Sequence, residues 1–329
     1  MKPLGERPPS SQGSAAMLRE GLQAETNEHA AGFARATPFR HVVIADFLAP
    51  EFANRLLAEF PAFAPARALN EHGEIGNKAV HESVRALGPA YAALDDMVQD
   101  RDFLGLVSRI TGIPDLLYDP LYIGGGTHEN RDGQALDAHV DFNRHPVTHA
   151  HRRLNLIVYL NHGWEDDWGG VLELHRDPRA PDDEVVRVSP QFNRAVIFET
   201  TESSWHGFSP IRLPGERRDV SRKSVALYFY SARRPEDECA ATHSTVYVDR
   251  PLPDHFVAGA SLSEGDLQEL HALLGNRDRH IQRLYRDLQD AQAKVEQTLR
   301  AVGLVRGSPA WRLLQAVRRA AGRMSRRRR

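Results

Sequence analysis

Cysteine is almost absent. Cys239 is the single thiol in 329 residues, which excludes an intramolecular disulfide framework and any zinc site built from several thiolates. Long apolar runs are missing too, and none approaches the roughly 18 residues of a membrane-spanning helix. The opening stretch MKPLGERPPSSQGSAAM is polar and proline-bearing, without the hydrophobic segment of a secretory signal, so the chain is expected in the cytoplasm. No large charge of one sign is present either, since the net value is −2, but the charge is unevenly spread. From Arg277 onward, fifteen Lys/Arg face four Asp/Glu, and the preceding body is correspondingly acidic. An acidic body is a poor platform for phosphate backbones, so nucleic acid is not expected as a partner. A basic tail on such a body suggests a partner of its own.

What is present falls into four segments. Residues 1–37 read as a mobile N-terminal segment. Residues 38–250 read as the main domain, opening with the strand-like His41-Val-Val-Ile44 and a helical spacing at Phe52, Leu56, Leu57 and Phe60. One further helix is expected over Ala90–Thr111, with Gly105 as a point of interruption. From Leu116 the texture changes to short strands between turn residues. They are expected at Leu117–Ile123, Ala138–Phe142, Leu154–Leu160, Val171–His175, Glu184–Val188, Arg194–Glu199, Trp205–Phe208 and Arg222–Tyr230. Eight short strands after helices imply an α+β fold, a double-sheet jelly roll with N-terminal supporting helices. In residues 261–306, Leu267, Leu274, Ile281, Leu288, Val295 and Val302 recur every seventh position, the pattern of a helical or coiled-coil tail able to pair two copies. Residues 308–329 read as a basic amphipathic helix, with Trp311 and Leu314 opposite arginines. Such a helix suits an anionic membrane surface and equally a solvated tail.

His139 and Asp141 are two residues apart in an expected strand, so they project together, within about 7 Å of each other. His206 follows on a later strand. Two imidazoles and one carboxylate are the ligand set of non-haem Fe(II) oxygenases. The competing reading is coincidence, because the chain has 16 histidines and H-x-D arises readily by chance. Arg222 opens the strand after His206 and shares a face with Ser224. A planar guanidinium there can grip a carboxylate with two parallel hydrogen bonds, with Ser224 adding a third. Its alternative is a surface pair with Asp219.

Several further blocks occur in order with these. They are Tyr122-Ile-Gly-Gly-Gly126, His139-Val-Asp-Phe-Asn143, Leu154-Asn-Leu-Ile-Val-Tyr-Leu-Asn161, Trp168-Gly-Gly-Val-Leu-Glu-Leu174, Pro190-Gln-Phe-Asn-Arg-Ala-Val-Ile-Phe198, His206-Gly-Phe208 and Arg222-Lys-Ser-Val-Ala-Leu-Tyr-Phe229. Over roughly residues 38–232 the set resembles the prolyl-hydroxylase-like branch of the 2-oxoglutarate/Fe(II) dioxygenases.

The resemblance implies His139, Asp141 and His206 as Fe(II) ligands and Arg222 as partner of the distal carboxylate of 2-oxoglutarate. Tyr159 matches the strand tyrosine that shares this carboxylate, against the reading of a core tyrosine. Tyr122 matches a pocket tyrosine, against that of a half-buried strand aromatic. O2 would be the co-oxidant, ascorbate a reductant, and hydroxylation of a C–H bond the reaction, with release of succinate and CO2. Two departures stand out: a long stretch from Tyr122 to His139 and a long loop at Pro210–Ser221, both expected at the mouth. They leave two substrate classes open, a peptidyl proline or other protein residue, and a small molecule linked to surface-glycan assembly. The rival class is a non-catalytic jelly-roll binding module that oligomerises through its C-terminal coil.

Overall fold

The computed structural model describes residues 16–64, 79–253 and 255–307, with residues 309 and 311. They divide into two compact units, Met1–Arg250 and Pro251–Arg329.

In chain order the first unit contains α1 (Thr26–Arg35), β1 (His41–Ile44), α2 (Pro50–Ala58), β2 (Ala79–His81), α3 (Pro89–Val98), α4 (Arg101–Thr111), β3 (Leu117–Tyr118) and β4 (Gly126–Asn130). It continues with β5 (Leu136–Val140), β6 (His151–Tyr159), β7 (Leu172–His175), β8 (Val185–Val188), β9 (Ala195–Glu199), β10 (Trp205–Phe208), β11 (Arg222–Ser231) and β12 (Val246–Tyr247). Two antiparallel sheets result. The larger runs β1-β9-β6-β11-β4-β2, with β3 also on β11, and the smaller runs β12-β5-β10-β7-β8. This is the expected jelly roll with helices before it.

Each face of the larger sheet has its own core. Leu154, Leu156, Val158, Val225, Leu227 and Phe229 pack outward with Phe103, Leu106 and Ile110 of α4. Tyr159, Val196 and Phe198 pack inward with Leu172, Leu174 and Val188 of the smaller sheet. Strand alternation therefore sorts one stripe to the helices and the other to the space between sheets, where the polar groups also lie.

Several expectations need correction. Residues 16–37 are not a mobile segment: Leu18, Leu22 and Phe33 are buried in the helix-side core. Backbone bonds from Arg19 N to Phe47 O (3.1 Å) and from Ala49 N to Met17 O (2.9 Å) tie the stretch down. Residues 1–15 of that expectation lie outside the described residues. The expected helix over Ala90–Thr111 is two, because the Asp100 carboxylate accepts from Asp102 N (2.7 Å) and caps a new helix. Gly105 causes no break.

The expected strand Leu117–Ile123 stops at Tyr118, and a true strand, β4, follows it. Gly126-Thr-His-Glu-Asn130 carries no apolar alternation, yet every residue is buried, because β11 and β2 flank it on both sides. Gly126 is required there. A Cβ at that position would collide with the His81 carbonyl on β2.

The second unit contains α5 (Glu264–Gly307), one long helix. Asp266 accepts from Ser263 N (2.8 Å) and Ser263 Oγ (2.7 Å) at its start. Leu267, Leu274, Ile281, Leu288, Val295 and Val302 are all exposed along it. The expected final helix lies outside the described residues, apart from residues 309 and 311. No described helix is long and apolar enough to cross a membrane.

Candidate metal and cosubstrate site

His139 near the end of β5 and His206 on β10 are direct antiparallel partners, with ring centroids 4.3 Å apart. Asp141 follows immediately after β5. Its Oδ1 lies 3.8 Å from His139 Nε2 and its Oδ2 3.6 Å from His206 Nε2. The three side chains offer ligand atoms all within 4.8 Å of one another.

The ring orientations are set by the backbone. His139 Nδ1 donates to the Asp137 carbonyl and His206 Nδ1 to the Ser204 carbonyl, each at 2.9 Å. A carbonyl only accepts, so Nδ1 carries the proton in both rings, and Nε2 presents its lone pair toward Asp141. This is the tautomer a metal requires, fixed by the outer hydrogen bond.

Asp141 is held from behind. Its Oδ2 accepts from Asn155 Nδ2 (2.8 Å) and lies 3.1 Å from Arg152 Nη2. Burial opposes its charge, but the Arg152 guanidinium and the Asn155 amide hold the carboxyl well below the ordinary range. Divalent iron suits this set, one carboxylate and two neutral imidazoles without a thiolate.

Arg222, at the head of β11, is buried. Its Nε donates to the Gly170 carbonyl (2.6 Å) and its Nη2 to Tyr159 OH (3.3 Å). The guanidinium packs 4.3 Å from the centroid of Phe208, two residues from His206 on the same side of β10. Burial pulls its pKa down, with the Tyr159 hydroxyl opposing. Burial pushes the Tyr159 phenol up, so it stays a neutral donor. Among the described residues, no carboxylate pairs with Arg222. A buried cation without a counter-ion is costly, and an incoming carboxylate relieves that cost. The expected alternative, a pair with Asp219, is absent.

Ser224 is buried and stands opposite Tyr159 in the β11–β6 register, on the same face as Arg222. Phe198 joins the two halves of the site: it packs in one cluster with Tyr159, and its ring lies 4.7 Å from His206.

Tyr122 is not brought to this group. It sits in a turn at φ +50°, and its hydroxyl donates to Asp95 of α3 (2.9 Å) within the helix-side core. The turn re-aims a side chain that strand alternation had sent inward. Burial drives its pKa upward, and the Asp95 carboxylate adds to the rise.

Alternation from Tyr159 puts Asn155 on the site face, whereas nothing in the residue pattern puts Arg152 there. Strict alternation puts Arg153, not Arg152, on the face of Asn155. A register shift opposite Phe229/Tyr230 pairs Leu154 with Phe229 and Arg152 with Tyr230, a bulge that turns Arg152 inward. Arg153 goes instead to Glu199 and Glu238. Only a bulge invisible in the residue pattern could have announced this.

A jelly roll carrying a His-Asp-His triad able to hold a metal ion, with a buried cation in the same inter-sheet space, is an arrangement suited to a non-haem iron oxygenase with an oxo-acid cosubstrate. Residues 125–230 match the family described as the 2OG-Fe(II) oxygenase superfamily. A curated relative, Prolyl 3-hydroxylase OGFOD1 of Mus musculus, is 26% identical over 266 residues, 76% of this chain and 44% of that protein. The chain thus spans less than half the length of this relative. Among solved structures, a prolyl hydroxylase in complex with a hypoxia inducible factor peptide fragment, from Trichoplax adhaerens, is similar with a TM-score of 0.47 and 17% identity, covering 64% of this chain and 91% of that one. A prolyl 4-hydroxylase from Phytophthora capsici has a TM-score of 0.43 and 19% identity, covering 84% of this chain and 77% of that one.

Proposed function

We propose that this oxygenase hydroxylates a C–H bond of a peptidyl residue, proline foremost, with release of succinate and CO2. His139, Asp141 and His206 are the proposed iron ligands. Arg222, Tyr159 and Ser224 are the proposed grip on the distal carboxylate of 2-oxoglutarate. The observation that carries the cosubstrate assignment is Arg222, a buried guanidinium with a phenol at 3.3 Å and no carboxylate partner among the described residues. When bound, iron and 2-oxoglutarate supply the oxidising power, and the protein's part is to hold them, order their arrival and exclude water. The peptide substrate is supported by the name of the curated relative, a prolyl 3-hydroxylase. The second substrate class, a small molecule tied to surface-glycan assembly, rests on the C-terminal sequence alone.

We further propose a cytoplasmic enzyme whose domain over residues 38–250 carries the chemistry, with segments 261–306 and 308–329 serving assembly. The exposed heptad stripe from Leu267 to Val302 favours pairing of two copies, and the arginine-rich end favours an anionic surface.

Anaerobic titration with Fe(II) and 2-oxoglutarate tests the reading through the visible absorption of the bound cosubstrate. Absorption in wild type, lost in His139→Ala, supports it. No absorption in folded, metal-competent wild type sinks it and promotes the non-catalytic module. Succinate release stimulated by proline-bearing peptides, and not by nucleotide sugars, then decides the substrate class.

A further inference from the structure

Among the described residues of the first unit, Arg152 is the most deeply enclosed cation, at 1% exposure. The rings of Tyr228, 3.6 Å to the centroid, and Phe142, 4.5 Å, both pack against it. Tyr228 is itself fixed, its hydroxyl donating to the Gly124 carbonyl at 2.9 Å. The guanidinium edge is committed as well, with Nε and Nη2 donating to Asn155 Oδ1 at 3.2 and 2.8 Å. Burial works against the charge, but Asp141 and the flanking phenols Tyr228 and Tyr230 raise its pKa above the ordinary arginine value.

These contacts settle the Asn155 amide. Its oxygen accepts from Arg152, so its nitrogen must face Asp141, where it donates to Oδ2 at 2.8 Å. Turning the amide over would set an NH2 against a guanidinium. Asp141 Oδ2 therefore accepts from Asn155 and lies 3.1 Å from the Arg152 guanidinium. Oδ1 accepts no hydrogen bond among the described residues.

We propose that Arg152, acting with Asn155, is a positioning residue that keeps Asp141 a one-oxygen metal ligand. The inference rests on the iron-site reading above. With Oδ2 held by the Asn155 amide beside the Arg152 guanidinium, Oδ1 is the oxygen left to the metal. The protein then supplies three ligand atoms and no fourth, leaving coordination positions for a two-point cosubstrate and for O2.

Two effects of Arg152 oppose each other. Its charge repels a divalent cation, while its fork fixes the ligand that attracts one. Outer partners of metal ligands typically contribute about 10- to 100-fold in affinity, so fixation is expected to win.

Mn(II) binding by calorimetry, without cosubstrate, provides the test on Arg152→Lys and Asn155→Ala beside wild type. Lysine keeps the charge and loses the fork, and Asn155→Ala removes the relay while leaving the guanidinium in place. Both are expected to bind Mn(II) at least about tenfold more weakly, with unchanged circular dichroism. Arg152→Ala leaves a space between Phe142 and Tyr228 shaped for guanidinium, and added guanidinium salt should restore Mn(II) affinity there but not in His139→Ala. Folded variants that bind Mn(II) as tightly as wild type, or more tightly, overturn the proposal. Failure of folded wild type to bind any divalent ion overturns the iron-site reading instead.

Discussion

His139 and His206 face each other across one register position of the β5–β10 pair, and each ring is locked by a 2.9 Å bond from Nδ1 to the carbonyl two residues before it. Strand pairing and local backbone together place both Nε2 atoms, so either ring can be removed without rebuilding the other. His139→Ala and His206→Ala are each expected to abolish stoichiometric Fe(II) or Mn(II) binding while leaving the far-ultraviolet dichroism unchanged. Calorimetric titration of the purified variants checks this.

Arg222 donates to Gly170 and Tyr159 from a buried position, and a charge-assisted hydrogen bond contributes about 1.5–3 kcal/mol. Arg222→Gln should therefore raise the 2-oxoglutarate concentration needed for half-saturation by about 10- to 100-fold. Tyr159→Phe removes a neutral donor only and should raise it less, by about tenfold at most. Metal affinity without cosubstrate should stay at the wild-type level in both, which separates loss of the carboxylate grip from collapse of the barrel.

Gly207 lies between His206 and Phe208 where β10 meets an irregularity in β5. A Cβ added there would stand 2.6 Å from the Leu136 carbonyl oxygen and 3.0 Å from Ala138 N, both backbone atoms that cannot move independently. Gly207→Ala should cost about 1–3 kcal/mol of stability. It should also weaken metal binding, because the clash pries β10 from β5 and His206 from His139. Denaturant titration and Mn(II) calorimetry on the same preparation test both effects.

Asn193 is buried at φ +59°, and its side chain clamps one residue of the N-terminal stretch. Leu48 N donates to its Oδ1 (2.9 Å), and its Nδ2 donates to Leu48 O (2.7 Å). Asn193→Ala leaves two buried backbone groups unpaired and puts alanine in the left-handed region, a combined cost of about 2–4 kcal/mol. A lowered melting temperature with an intact metal site is the expected result. An unchanged melting temperature would show that the N-terminal layer is not held through Leu48.

His151 titrates below the ordinary imidazole value, because burial and the charges of Arg144, Arg234 and Arg153 all disfavour its proton. The unfolded chain therefore binds this proton first as pH falls below about 6.5. Stability is lost from that point down to the lower folded midpoint, and below it the penalty stays constant. Arg144→Gln should move the His151 midpoint upward in an NMR titration, and His151→Gln should flatten the mildly acidic side of the stability profile.

The amino-acid pattern by itself determined the jelly-roll class, the order of the site blocks and the identity of the triad. Alternation in Leu154–Leu160 and Arg222–Tyr230 is a local property, and local geometry sends alternate side chains to opposite faces. The long C-terminal helix was legible for the same reason, from its heptads. Tertiary structure decided what depends on neighbours. Gly126–Asn130 is a strand only because β2 and β11 supply its hydrogen-bond partners, and residues 16–35 are ordered only because the helix-side core takes Leu18, Leu22 and Phe33. Tyr122 left the pocket because a left-handed turn aims it at Asp95, and Arg152 entered because a bulge reverses the alternation beside Arg153. A turn or a bulge shifts parity by one residue. That reversal carries no periodic signature, so the partner of Asp141 could be found only once β6 was paired with β11.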